Sequence, residues 1–135
     1  MRFMLDTNIC IYAMKHRPAE VLAQLRAHEA AGLGISSITA AELHSGVAKS
    51  RSARNEAALQ QFLEPLELAD FDVAAAAAYG RLRSALEWAG TPIGPLDTLI
   101  AAQALALNVT LVSHKVREFA RVPGLKLVSW VSAGE

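Results

Sequence analysis

Apolar residues along this chain follow two patterns: short, nearly continuous runs, and longer segments in which they recur every three or four positions. The short runs are typical of buried strands, and the longer segments are typical of helices that pack one face on a core. The predicted strands are 3–5, 33–36, 66–68, 109–112 and 126–128. The predicted helices are 9–14, 18–32, 37–49, 51–63, 73–88 and 96–107, with a short helical turn inside 113–120.

The order of these elements predicts the fold class. Strands that alternate with helices favour a parallel sheet with helices on both faces. We therefore expect an α/β fold, a three-layer α/β/α sandwich around a central, mostly parallel sheet of four or five strands. Asp72 is suited to cap the start of helix 73–88, and Asn108 is suited to end helix 96–107. Trp88 lies off the apolar stripe of its helix, so we expect it in a subunit interface or, alternatively, at an exposed edge.

Composition narrows the class of protein further. The 135 residues are enough for one domain, 1–135, with one core, and 53% hydrophobic residues against 19% charged ones exclude a disordered chain. The formal net charge is zero, so any binding of nucleic acid must use a local basic patch.

The single cysteine and the lack of long apolar runs bear on the compartment. Cys10 has no partner for an intrachain disulfide, and we interpret it as a small buried hydrophobe. No apolar run approaches the roughly 20 residues that span a bilayer, and the amino terminus lacks the pattern of a signal peptide. We expect a cytoplasmic protein that does not bind a membrane.

Three carboxylates follow apolar segments at the predicted strand ends: Asp6, Glu42 and Asp97. Each has a simpler explanation, since Asp6 and Asp97 can favour a helix start and Thr39-x-x-Glu42 has the spacing of a capping box. The carboxyl ends of parallel strands nevertheless converge on one crevice. Acids gathered there repel each other and are poorly solvated, which favours a divalent cation with oxygen ligands, Mg²⁺ or Mn²⁺.

Short motifs surround these acids. They are Met4-Leu5-Asp6-Thr7-Asn8, Ala41-Glu42-Leu43-x-x-Gly46, Leu96-Asp97-Thr98-Leu99-Ile100-Ala101-Ala102, Leu111-Val112-Ser113, Arg117-Glu118-Phe119, and Val122-Pro123-Gly124-Leu125 with Trp130. In this order the first three resemble the motifs of PIN-domain nucleases, and the C-terminal ones resemble the VapC toxin branch of that family. The resemblance covers nearly the whole chain.

The resemblance implies a function and a set of roles. It implies a PIN-like fold and an endoribonuclease toxin that cleaves structured RNA, such as a loop of transfer or ribosomal RNA, by in-line attack of a metal-activated water. It also implies inhibition by a VapB-type antitoxin and a homodimer or higher homo-oligomer. The implied metal-binding and catalytic acids are Asp6, Glu42 and Asp97, with Glu118 as the candidate fourth catalytic acid. The implied supporting residues are Thr7, Asn8 and Ser113.

The chain departs from the family after Ser113. His114 and Lys115 stand where the family commonly has Asn or Asp, and a charged lysine cannot bind Mg²⁺. Lys115 is instead expected to offset acid charge or to contact a phosphate. The candidate RNA contacts are Lys15, Arg17, His114, Lys115 and Arg117.

Two other classes of protein compete with a nuclease. A receiver-like binding module would place acids after the first strand and a lysine after a late one, as Asp6 and Lys115 do, but it needs a pair of acids near Asp6. A haloacid-dehalogenase-type phosphatase needs Asp-x-Asp where this chain has Asp6-Thr7-Asn8. A PIN-like protein that has lost catalysis is a further alternative, because of His114 and Lys115.

Overall fold

Strands and helices alternate through the chain as the sequence pattern predicts. The structure is a computed structural model that describes residues 1–131, so the predicted domain boundary at residue 135 lies outside the described residues. The strands are β1 (Phe3–Leu5), β2 (Leu33–Ser36), β3 (Glu67–Ala69), β4 (Thr110–Val112) and β5 (Lys126–Val128). The helices are α1 (Thr7–Lys15), α2 (Ala19–His28), α3 (Ser37–Ser50), α4 (Ala53–Leu63), α5 (Val73–Ala89), α6 (Pro95–Leu107) and α7 (Val116–Phe119), with a 3₁₀ turn at Glu29–Ala31.

The five strands form one parallel sheet in the order β3-β2-β1-β4-β5. This confirms the predicted fold class. Strand β1 is central, between β2 and β4, so the carboxyl ends of these three strands lie side by side at one edge. The residues that follow them, in α1, α3 and the loop after β4, therefore meet at that edge.

A separate apolar core covers each face of the sheet. Side chains of a strand alternate between faces, so Leu5 packs with residues of α1 to α4 and Met4 packs with residues of α5 and α6. Ala101, Ala102 and Ala104 of α6 are fully buried in the core that contains Met4. Cys10 is fully buried in the first core, as predicted. Among residues 1–131, every helix is too short or too polar to cross a membrane.

Several helix ends differ from the predicted bounds. Helix α4 begins at Ala53 because Arg51 adopts a left-handed conformation, φ 51°, at the end of α3, and Ser52 accepts a hydrogen bond from the Asn55 amide. Helix α2 ends at His28, and a 3₁₀ turn then leads to Gly32. The caps predicted at Asp72 and Asn108 are both present.

The capping-box interpretation of Thr39 and Glu42 is wrong. Ser36 caps α3, since its hydroxyl accepts a hydrogen bond from the Ile38 amide at 3.0 Å. Thr39 is a buried residue of the first turn of α3, and the Glu42 carboxylate points toward α1. Trp88 is 87% exposed in the single chain, so its place in a subunit interface stays a prediction.

Candidate active site

Asp6 lies at the junction of β1 and α1, at the carboxyl edge of the sheet. Its Oδ1 accepts a hydrogen bond from the Thr7 amide at 2.8 Å, and its Oδ2 accepts one from the Ser113 hydroxyl at 2.8 Å. The residue is only 1% exposed. Burial raises the pKa of Asp6, although the hydrogen bonds from Ser113 and Thr7 and the charge of Lys115 oppose the rise. Each oxygen keeps a second lone pair for a further ligand.

Glu42 is joined to the Asp6 junction through Thr7. The Thr7 hydroxyl donates a hydrogen bond to Glu42 Oε1 at 2.7 Å and lies 3.3 Å from the Thr39 hydroxyl. The second turn of α3 thus faces the first turn of α1. The negative charge of Glu42 also adds to the raised pKa of Asp6. Glu42 is therefore part of the same acidic region as Asp6.

Asp97 occupies the first turn of α6 and pairs with Lys115. The Lys115 Nζ lies 3.2 Å from Asp97 Oδ2 and 3.4 Å from Oδ1. Burial raises the pKa of Asp97 to about 6 even though the charge and hydrogen bond of Lys115 lower it, and the charges of Glu118 and Asp6 add to the rise. Asp97 is thus a desolvated carboxylate that senses both neighbouring acids.

Glu118 lies beside Asp97, on the short helix α7. Its Oε1 accepts a hydrogen bond from the Gly94 amide at 2.9 Å. A Cβ added at Gly94 would lie 3.4 Å from Asp97 Oδ2 and 3.6 Å from Glu118 Oε1, which is van der Waals contact, so Gly94 lies between the two carboxylates. The Gly94 loop therefore fixes the position of Glu118 relative to α6.

The four predicted acids thus form one cluster, defined here as Asp6, Glu42, Asp97 and Glu118, and Lys115 is its cation. Burial works against the Lys115 ammonium, but the charges of Asp97, Asp6 and Glu118 raise its pKa above the ordinary value. Within residues 1–131, no three Asp, Glu, His or Cys side chains converge closely enough, as they stand, to hold a metal ion.

The chemistry of the donor set fits a divalent cation. Burial and neighbouring acids raise the pKa of Asp6 and of Asp97, and all the donors of the acidic cluster are the oxygens that Mg²⁺ and Mn²⁺ prefer. One lysine cannot neutralise four carboxylates. The Lys115 ammonium contacts both Asp97 oxygens, which are the oxygens that a metal ion at Asp97 would use.

The other predicted residues divide into near and distant groups. Asn8 is half-buried in the first turn of α1, and His114 is half-buried with its ring 6.3 Å from that of Tyr12. Lys15 and Arg17 are exposed at the far end of α1, about 12 Å along the helix from Thr7. The fold therefore does not bring Lys15 and Arg17 to the acidic cluster.

Sequence reasoning missed two contributors to the site, Thr39 and Gly94. Thr39 stands three residues before Glu42, a spacing that puts both on one face of a helix and could have suggested a shared contact. The signal for Gly94 is weaker. It is the Gly94-Pro95 pair, which indicates a loop before α6 without showing which side chain its amide binds.

A separate apolar groove lies between α1, α2 and α4. Its volume is about 390 Å³, and its apolar lining includes Met14, Leu22, Leu25, Phe62 and Leu66. Arg26 and Glu29 add one charge of each sign to the lining. The groove is a concave apolar surface outside the acidic cluster.

Comparison with known proteins identifies the family. A sequence model of the PIN domain matches residues 3–125. Ribonuclease VapC2 of Rickettsia felis is 43% identical, over 96% of this chain and 98% of its own, and the tRNA(fMet)-specific endonuclease VapC of Shigella flexneri is 39% identical over the same shares. The VapBC2 structure from Rickettsia felis, bound to a promoter DNA fragment, superposes with a TM-score of 0.92 at 42% identity over 97% of this chain and 100% of that one. DNA-bound VapBC from Salmonella typhimurium gives 0.89 at 36% identity over 97% and 99%. This chain therefore belongs to the PIN-domain family, in its VapC branch.

Proposed function

We propose that this protein is a metal-dependent endoribonuclease toxin that cleaves structured RNA, with a loop of transfer or ribosomal RNA as the substrate class. The observation that carries the proposal is the acidic cluster at the carboxyl edge of the sheet, where burial raises the pKa of Asp6 and of Asp97 and the charge of Asp6 adds to the rise at Asp97. The names of its relatives, a ribonuclease and a tRNA(fMet)-specific endonuclease, support the choice of RNA.

Asp6 and Asp97 would hold the Mg²⁺ or Mn²⁺ directly, and Glu42 would do so directly or through water. When bound, the ion lowers the pKa of a water ligand and offsets charge on the phosphate. Ser113 and the Thr7 amide keep the Asp6 carboxylate in one orientation, and the Thr7 hydroxyl does the same for Glu42. Asn8 would support this first turn, and Glu118 would accept a proton near Asp97.

The reaction is a hydrolysis. The oxygen of water bonds to the scissile phosphorus while the bond from phosphorus to the 3′ oxygen breaks, and that oxygen takes up a proton. The 2′-hydroxyl takes no part as a nucleophile. The products carry 5′-phosphate and 3′-hydroxyl ends, so cyclic phosphate ends would contradict this mechanism.

A VapB-type antitoxin is the proposed protein partner. The similar VapBC structures are complexes of this kind, and the apolar groove between α1, α2 and α4 is the surface that suits an apolar segment of an antitoxin. A homodimer in the cytoplasm is proposed as well, in keeping with the reduced, buried Cys10 and the exposed Trp88.

The test is cleavage by acid-to-amide variants. Asp6→Asn and Asp97→Asn are each expected to lower RNA cleavage by at least about a hundredfold, while the thermal melting temperature stays near that of the wild type. The readout is sequencing of RNA ends after brief induction, which also reports the cut site and the end chemistry. EDTA is expected to stop cleavage by the purified protein.

Asp70→Asn is the matched control, because Asp70 is exposed after the edge strand β3 and lies outside the acidic cluster. It is expected to cleave as the wild type does. Full activity of Asp6→Asn, of Asp97→Asn, or of the wild type in EDTA would defeat the metal mechanism. A wild type that neither arrests growth nor cuts RNA would instead assign the chain to the catalytically inactive, binding class.

A further inference from the structure

Lys115 is held in the acidic cluster by its main chain as well as by its side chain. Its amide donates a hydrogen bond to the Ser113 hydroxyl at 2.9 Å, and the same hydroxyl donates to Asp6 Oδ2 at 2.8 Å. The backbone of Lys115 is thus tied to Asp6 while its ammonium contacts both oxygens of Asp97. The side chain is 39% exposed, against 13% for Asp97, so Lys115 is the partner of the pair that lies nearer to solvent.

A divalent ion and the Lys115 ammonium would both bind the Asp97 oxygens. Two cations bound to the same carboxylate lie close together and repel each other. The Lys115 side chain is 39% exposed, and its flexible stem lets the ammonium move outward without a change in the backbone. Metal binding at Asp97 therefore releases a cation at the edge of the site, where a phosphate of an incoming RNA would pass.

We propose that Lys115 competes with the divalent ion for Asp97 and, once displaced, binds an RNA phosphate, so that metal and RNA bind cooperatively through this one side chain. The proposal rests on the proposed function and adds a coupling to it. Without RNA, the ammonium stays on Asp97 and weakens metal binding. With RNA bound, the Lys115 ammonium binds a phosphate, and the Asp97 oxygens become free for the metal. By linkage, the metal strengthens RNA binding by the same factor by which RNA strengthens metal binding.

The test is Lys115→Met, which keeps an unbranched side chain one atom shorter than that of lysine and removes its charge. Calorimetric titration of the RNA-free, metal-free protein with Mn²⁺ is expected to show binding about fivefold tighter than in the wild type. Fluorescence anisotropy in EDTA, with a short labelled single-stranded RNA of mixed sequence, is expected to show weaker binding. The slope of log affinity against log salt should shrink by about 0.7, the value for one lost phosphate contact on a single strand.

Two control variants separate charge from structure. Lys115→Arg keeps the charge and is expected to bind Mn²⁺ within about twofold of the wild type. Lys126→Met removes an exposed lysine at the opposite, amino edge of the sheet and is expected to change neither affinity. A merely structural role of Lys115 would weaken Mn²⁺ binding, not strengthen it.

The outcomes distinguish this proposal from the proposed function. Equal Mn²⁺ affinity of Lys115→Met and wild type, or loss of both affinities together, overturns the competition while leaving a metal-dependent nuclease intact. Failure of both proteins to bind Mn²⁺ overturns the metal mechanism and the competition alike. Tighter metal binding with an unchanged RNA affinity and salt slope overturns the phosphate contact, and with it the coupling.

Discussion

The Ser113 hydroxyl connects two parts of the acidic cluster. It donates to the buried Asp6 carboxylate and accepts from the Lys115 amide, so one side chain sets the position of an acid and of the cation. Removing a donor from a buried carboxylate leaves that oxygen without a partner, which costs more than the net contribution of an ordinary hydrogen bond.

Ser113→Ala is therefore expected to lower the free energy of unfolding by about 1–3 kcal/mol in EDTA, measured by urea denaturation. Asp6→Asn provides the control through a double-mutant cycle, because the amide tolerates the loss of a hydroxyl donor better than a carboxylate does. A coupling energy near zero between the two substitutions would show that the Ser113–Asp6 hydrogen bond does not stabilise the fold.

At the same scale, the sequence reveals the acids of the site more readily than their partners. Asp6 and Glu42 could be found because they follow β1 and β2, whose ends converge in a parallel sheet. Asp97 follows α5 and a loop, so the prediction that it lies at a strand end is wrong, and its place near Asp6 depends on how α6 packs on the sheet. The bond from Thr7 to Glu42 depends on how α1 packs on α3. The pair of Lys115 and Asp97 joins a loop to a helix 18 residues away, and no local pattern encodes that direction.

Strand β2 carries a glycine that the sheet requires. A Cβ on Gly34 would lie 2.6 Å from the Glu67 carbonyl oxygen of β3 and would also collide with the Met1 side chain. Backbone cannot yield as a flexible side chain does. Gly46, on α3, has nothing within 4 Å of a Cβ, so the two glycines sit in opposite environments.

Gly34→Ala is expected to lower the free energy of unfolding by about 1–3 kcal/mol through overpacking. Gly46→Ala is the matched control and is expected to raise it by about 0.5–1 kcal/mol, because alanine restricts the unfolded chain and favours the helix. Urea denaturation measures both. Equal effects of the same sign would show that close packing of β2 against β3 is not what excludes a side chain at Gly34.

The sequence predicted which strands and helices are present better than it predicted the residues at which they begin and end. Every predicted strand is present. Strands β1, β2 and β4 are buried apolar runs, which are a strong signal, whereas the edge strand β3 is mostly exposed. The start of α4 was misplaced at residue 51, because Arg51 takes a left-handed conformation that a non-glycine residue rarely adopts and that nothing in its neighbours indicates. Thr39 and Glu42 have capping-box spacing, but Ser36 comes earlier in the chain and is the N-cap of α3.

On the scale of the whole molecule, the acidic cluster and the apolar groove involve different residues and different chemistry. The acids line the carboxyl edge of the sheet, whereas the groove is formed by apolar side chains of α1, α2 and α4. Cleavage and neutralisation by an antitoxin should therefore be separable by mutation. A protein that loses only neutralisation would assign the groove to the antitoxin.

Leu22 suits this test because it is half-buried in the groove and far in sequence from the acidic cluster. Leu22→Glu places a charge where an apolar segment would dock, and a desolvated, unpaired charge costs several kcal/mol. The variant is expected to arrest growth and cleave RNA like the wild type, while a co-expressed VapB-type antitoxin no longer relieves the arrest and no longer co-purifies with the variant.

Leu107→Glu puts the same charge on an exposed leucine of α6 outside the groove, and the antitoxin should still neutralise that variant. If the antitoxin relieves the arrest by Leu22→Glu as fully as it does the arrest by Leu107→Glu, it binds elsewhere, and the groove between α1, α2 and α4 has another occupant.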